Sequence, residues 1–178
     1  MNLSQTPLPG AYVVELEELA DNRGHFARTF DAELFIAHGL DGRVAQCNTS
    51  FNAHAGTLRG MHYQAAPHGE AKLVRVTQGA VYDVILDLRE DSPTCGRWFS
   101  IELSADGTRS LYAPAGVAHG FQTLLDGSEV AYQMSYPYVA AAASGVRWDD
   151  PAFAIEWPPP PSGGRVISER DRTWPSFV

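Results

Sequence analysis

The sequence predicts an all-β protein, a jelly-roll barrel with a few short helices. Segments rich in Val, Ile, Tyr and Trp recur along the chain, and clusters of Gly, Pro, Asp or Ser separate most of them. In a chain of 178 residues, short strands spaced by turns point to a sandwich or a jelly-roll barrel, whose interior can hold a ligand-sized pocket. The length, with 44% hydrophobic and 19% charged residues, fits one domain over residues 1–178 with a sizeable core.

Taken in order, the first clear element is a helix in TFDAELFIAHGL. Thr29 or Asp31 can cap it, Phe30, Leu34 and Phe35 are at helical spacing, and Gly39 supplies the stop. Strands follow in KLVRVTQ, AVYDVILDL, RWFSIEL, RSLYA and EVAYQMSY. The tail reads as loop, with PPPPSGG extended and SERD at Ser168 to Asp171 forming a helix N-cap with an acid three residues on.

A net charge of −8 argues against nucleic acid, which requires a basic face, so an anionic substrate must be met by a local arginine cluster. No apolar run approaches the length of a membrane span, and MNLSQTPLPG lacks the charged and apolar regions of a signal peptide. No membrane partner is expected, and the expected compartment is the cytoplasm. Cys47 and Cys95 belong to no CxxC pair, and a chain of this size needs no disulfide, so both are expected as reduced thiols.

The basic residues number 13, and the single lysine among them, Lys72, opens the apolar run KLVRVTQG. A lysine at a strand start can simply snorkel its stem over apolar neighbours. A compact ammonium whose pKa falls readily on burial is also suited to a site beside a developing oxyanion. Alternation puts Lys72 on one face with Val74 and Val76, and Tyr132 on one face with Val130 and Met134, so both polar tips point inward. In AVYDVILDL, Tyr82, Val84, Leu86 and Leu88 form an apolar face, which leaves Asp83 and Asp87 on the other with Val81 and Ile85. A carboxylate among valine and isoleucine implies a barrel interior that is not fully dry.

The stretch PAGVAHGFQT carries P-x-G-x-x-H, which resembles the second motif of the cupins with His119 at a ligand position. Counted back from Gly79, the first motif reads His62, Gln64 and Lys72, where metal-binding cupins have H-x-H and a glutamate. Two of the four ligands are gone, and an ammonium repels a metal instead of donating a lone pair. No metal and no cofactor are expected. A cupin-type barrel that keeps His62 and His119 beside Lys72 suggests acid and base chemistry without one.

The strings LRGMHYQ and GEAKLVRVTQGAVYDVILDLREDSPTCGRW, with DNRGHF, QCNTS, LYAPAGVAHGF, VAYQMSYPY, SGVRWDDPAFAIEWP and ISERDRTWP around them, resemble the dTDP-4-dehydrorhamnose 3,5-epimerase family over nearly the whole chain. The resemblance implies inversion of C3 and C5, or of C3 alone, in a nucleotide-linked 4-keto-6-deoxyhexose. It implies His62 as base, Asp171 as its hydrogen-bonded partner, Lys72 on the enolate oxygen and Tyr132 as the acid on the opposite face. For binding it implies Arg59 on the diphosphate, Arg23 reaching across a homodimer, Gln46 and Asn48 on the nucleotide, His119 and Arg170 as further contacts, and Tyr138 stacked on the base.

Three positions depart from the family pattern. In RGHFAR, Arg28 replaces a ligand-binding glutamate, Cys47 stands where an aspartate or serine is usual, and Ala143 replaces a nucleotide-contacting glutamate. The substrate is therefore expected to differ from dTDP-4-keto-6-deoxyglucose in sugar, base or both, with Arg28 counted among the substrate-binding residues. Taken singly, His62, His119 and Tyr132 also fit ordinary core roles, Asp171 a capping acid, and Arg23, Arg28 and Arg59 scattered surface charge. It is their joint spacing that favours an enzyme over a non-catalytic sugar-nucleotide-binding cupin or a ketoisomerase of the same fold.

Overall fold

The computed structural model describes residues 1–161 and 163–177, so Ser162 of the PPPPSGG stretch lies outside the described residues. In chain order the elements are β1 (Asn2–Gln5), β2 (Tyr12–Glu15), β3 (Glu18–Asp21), β4 (Gly24–Ala27), α1 (Ala32–Ala37), β5 (Gln46–Asn52), β6 (Thr57–Gln64), β7 (Lys72–Gln78), β8 (Ala80–Asp87), β9 (Trp98–Ser104), β10 (Arg109–Ala113), β11 (Val117–Thr123), β12 (Ser128–Met134), β13 (Ala143–Gly145), β14 (Val166–Ile167) and α2 (Glu169–Arg172). They form two facing sheets, one ordered β1-β2-β10-β7-β12-β5 and the other β13-β6-β11-β8-β9 with β14 beside β6, and β3-β4 is a separate hairpin. This is the jelly roll that the turn spacing predicts. No helix among the described residues is long and apolar enough to cross a membrane.

The alternation read from the sequence sorts the side chains as expected. Val74 and Val76 of β7, Val81 and Ile85 of β8, Leu111, Phe121 and Val130 form the core between the sheets. The opposite parity on β8, Val84 and Leu86, packs outward with Tyr82 and Leu88 and is covered by Val146, Phe153, Ile155 and Trp157 from the C-terminal segment. The outer face of the first sheet, with Leu73, Tyr112 and Val14, is covered by Phe35 of α1. Of the two capping candidates Asp31 is the one used, its side chain accepting from the Leu34 N–H, and Gly39 follows the C-cap with φ +74°.

Asp83 is fully buried between the sheets, as its neighbours imply. Asp87, on the same face, leaves the barrel interior at the strand end and is enclosed by the next turn, where Arg89 Nε lies 2.8 Å away and the Ser92 and Thr94 hydroxyls 2.6 Å away.

Candidate active site

The site depends on an irregularity in β6. On β11, His119 and Phe121 are two residues apart, but their partners on β6, His62 and Arg59, are three apart. The extra residue is a β-bulge at Gly60, where φ is +130° and an added Cβ would lie 2.5 Å from the Gly120 Cα. Strict alternation would put Arg59 and His62 on opposite faces. The bulge turns both into the same cleft and leaves Met61 buried on the other side.

That cleft, about 590 Å³, lies between the sheets. His62, Lys72, Tyr132, Gln46, Asn48, Arg59, His119, Tyr138 and Arg170 all line it. Asp171 stands behind His62, with its Oδ1 2.6 Å from Nε2. Arg23 and Arg28 are elsewhere. Arg23 sits in the exposed β3-β4 turn paired with Asp21, and Arg28 pairs with the α1 cap Asp31.

His62 and Asp171, 109 positions apart in the chain, are brought together by the tail returning to β6, where β14 pairs in parallel and α2 follows. Ser168 caps α2 and accepts from the Asp171 N–H, so the residue is both the acid of the capping motif and the partner of His62. Burial alone would raise the Asp171 pKa. Hydrogen bonds from His62, the Gly60 N–H and the Ser168 side chain outweigh it and hold the carboxyl below its ordinary value. A carboxylate can only accept, so His62 Nε2 carries the hydrogen of this pair, on a side chain that is 39% exposed.

Lys72 Nζ donates to the His62 carbonyl at 2.8 Å and lies 3.0 Å from Glu70 Oε1. Burial pushes its pKa down, opposed by Glu70 and then Asp83. Tyr132 is held edge-on to His119, with ring centroids 5.8 Å apart, and burial followed by the Asp83 charge drives its hydroxyl well above the ordinary phenol range. Near neutral pH the phenol therefore keeps its proton. The cleft presents an imidazole from one sheet and a buried ammonium and a phenol from the other, an arrangement suited to moving protons on and off carbon beside a carbonyl.

The whole chain was compared with known proteins. Residues 5–178 match the family model for dTDP-4-dehydrorhamnose 3,5-epimerase. The enzyme of that name from Methanothermobacter thermautotrophicus is 42% identical, over 96% of this chain and 91% of its own. The crystal structure of the Bacillus anthracis dTDP-4-dehydrorhamnose 3,5-epimerase with TDP and PPi bound superposes with a TM-score of 0.92 at 39% identity, over 99% of both chains.

This chain belongs to the dTDP-4-dehydrorhamnose 3,5-epimerase family. It is an isomerase on a cupin jelly roll. A 3'-monoepimerase from Streptomyces bikiniensis in complex with dTDP-quinovose is also similar, with a TM-score of 0.86 and 35% identity, over 96% of this chain and 85% of its own.

Several residues that support this epimerase site are silent in its sequence pattern. Asn52 accepts from Arg59 Nε at 2.8 Å while its own amide is tied to the Ser50 and Ser128 carbonyls. Arg170 lies 5.0 Å over the Trp174 ring. Both guanidiniums thus rest on neutral groups, and among the described residues neither is paired with a carboxylate. Gln64, at a cupin ligand position, instead bonds the His68 and Pro137 carbonyls and the Val139 N–H, which fixes the loop carrying Tyr138. Among the described residues no three His, Cys, Asp or Glu side chains are grouped to hold a metal.

The three departures are dispersed. Ala143 lines the cleft. Cys47 is exposed and faces away from it, because on β5 it is Gln46, Asn48 and Ser50 that point in.

Proposed function

We propose that this chain inverts C3 and C5 of a dTDP-linked 4-keto-6-deoxyhexose. The carrying observation is that the imidazole base and the protonated phenol come from opposite sheets and face one cleft. Protons on the carbons flanking a ketone are acidic because the resulting charge moves to the oxygen. His62 takes such a proton, and Asp171 stabilises the imidazolium that forms. Lys72 holds the enolate oxygen. Tyr132 then returns a proton from the other face, and exchange with solvent resets both groups.

Binding follows from the charges. Arg59 and Arg170, which pair with no carboxylate among the described residues, take the diphosphate, and Gln46 and Asn48 contact the nucleotide. His119, its Nε2 2.7 Å from Asp83, adds a further contact, and the 60% exposed ring of Tyr138 stacks on the base. The β3-β4 hairpin carries Leu19 and Phe26 as exposed cross-strand partners with Arg23 at its turn. In a homodimer that covers this hairpin, Arg23 reaches the neighbour's cleft. Of the three departures, only Ala143 lines the cleft within one chain, and a small side chain there leaves room for the usual sugar nucleotide.

The test is proton NMR of dTDP-4-keto-6-deoxyglucose with the protein in D₂O. Loss of both the H3 and H5 signals is expected. Loss of H3 alone would assign the reaction of the similar 3'-monoepimerase, and no exchange from folded protein would direct the search to another sugar nucleotide.

A further inference from the structure

Glu70 is a buried acid with an incomplete set of partners. Its side chain is 3% exposed, Oε1 faces Lys72 Nζ at 3.0 Å, and Oε2 is buried with no hydrogen-bond partner among the described residues. Burying a carboxylate this way is costly, and a neutral side chain would avoid the cost. What the charge supplies is found at Lys72.

An ammonium has three N–H bonds. One is directed at the His62 carbonyl, 2.8 Å away, and a second at Glu70. Two fixed anchors determine the direction of the third, which is left for the cleft. Burial favours the neutral amine, and the Glu70 charge is the largest influence opposing it. The other ionisable groups around Lys72 are Asp83 on β8, His62 and Arg59 on β6, His119 on β11, Tyr132 on β12 and Arg170 on α2. Its register neighbours, Ala113 on β10 and Met134 on β12, carry no charge. Glu70 is the one carboxylate in direct contact with the ammonium among the described residues.

We propose that Glu70 is a positioning residue that keeps Lys72 a cation within the cleft and aims its remaining N–H at the enolate oxygen. The enolate rests on the epimerase reading above, whereas the hold of Glu70 on Lys72 does not.

Because Lys72 is the only lysine in the chain, lysine labelled with ¹³C at Cε gives a single side-chain resonance whose pH titration reads this ammonium directly. In Glu70→Gln the Lys72 midpoint falls by about one pH unit or more. The alkaline limb of solvent deuterium incorporation into the sugar moves down with it, and KM is unchanged. An unmoved midpoint in the folded variant overturns the proposal, since a merely structural pair would lower Tm and leave the titration alone. A shifted midpoint with an unmoved alkaline limb overturns it as well, because turnover would then not depend on the Lys72 charge. If Glu70→Gln does not fold, Glu70→Asp withdraws the charge by one methylene and lowers the midpoint by less, and a wild-type titration in that variant is equally fatal. Absence of exchange in the wild type would defeat the epimerase reading while the titration still decides what Glu70 does to Lys72.

Discussion

At the scale of the residue, Lys72 is where the proposed chemistry is most directly tested. Replacing it with alanine is expected to lower deuterium incorporation by on the order of 10²–10³, the usual cost of losing an oxyanion donor. The same change strands Glu70 as a buried unpaired charge, so Tm falls too. The pair Lys72→Met with Glu70→Gln separates the effects: thermal melts recover while turnover does not. Alternation makes the inward direction of Lys72 and Tyr132 legible, the family resemblance supplies His62 and the roles expected of all three, and the structure puts the three side chains in one cleft. Asn52 and Glu70 were not legible, since each acts by touching a residue that only the closed barrel brings near. Arg23 matches the family motif and Arg28 departs from it, and in the single chain their guanidiniums meet Asp21 and Asp31. A motif fixes which residue is present, not which chain's cleft it faces.

At the scale of the element, the bulge in β6 does most to shape the site. Gly60→Ala puts a Cβ 2.5 Å from the Gly120 backbone at a φ that side chains avoid. The expected result is a loss of on the order of 3 kcal/mol in urea unfolding, with activity lost even where the variant still folds, because Arg59 and His62 no longer face the same way. A period-two reading of LRGMHYQ cannot reveal this inversion, since the extra residue is identified only by its partner strand. The five predicted strand segments are rich in β-branched or aromatic side chains and correspond to β7, β8, β9, β10 and β12. QCNTSFN is an edge strand, largely exposed and polar, and VAHGFQT is broken by glycine and histidine. Neither carries the apolar pattern that marks a strand by itself, and both are strands because neighbours supply the ladder.

At the scale of the whole molecule, the response to acid is set by carboxylates that folding encloses. Burial would raise the Asp87 pKa, but Arg89, Ser92 and Thr94 hold it far below the ordinary carboxylate range. A depressed folded-state value means stabilisation that is fully present above the unfolded pKa of about 4 and fades as pH falls below it. Asp87→Asn is therefore expected to cost about 2–3 kcal/mol in urea unfolding at pH 7, and the gap to wild type should narrow at pH 3. The tail has a different position in the molecule. The barrel core is assembled from β7 to β12, whereas Asp171 arrives on a four-residue helix whose upstream anchor is a two-residue parallel pairing. The tail is pinned further by Arg165 Nε, 2.7 Å from the Gln122 side-chain oxygen, and by the Phe177 N–H, which donates to Asp150 at 2.8 Å. The site is therefore complete only when two distant parts of the chain meet: β6 brings the imidazole of His62 and α2 brings the carboxylate that orients it, so a barrel without its docked tail holds a histidine with nothing behind it.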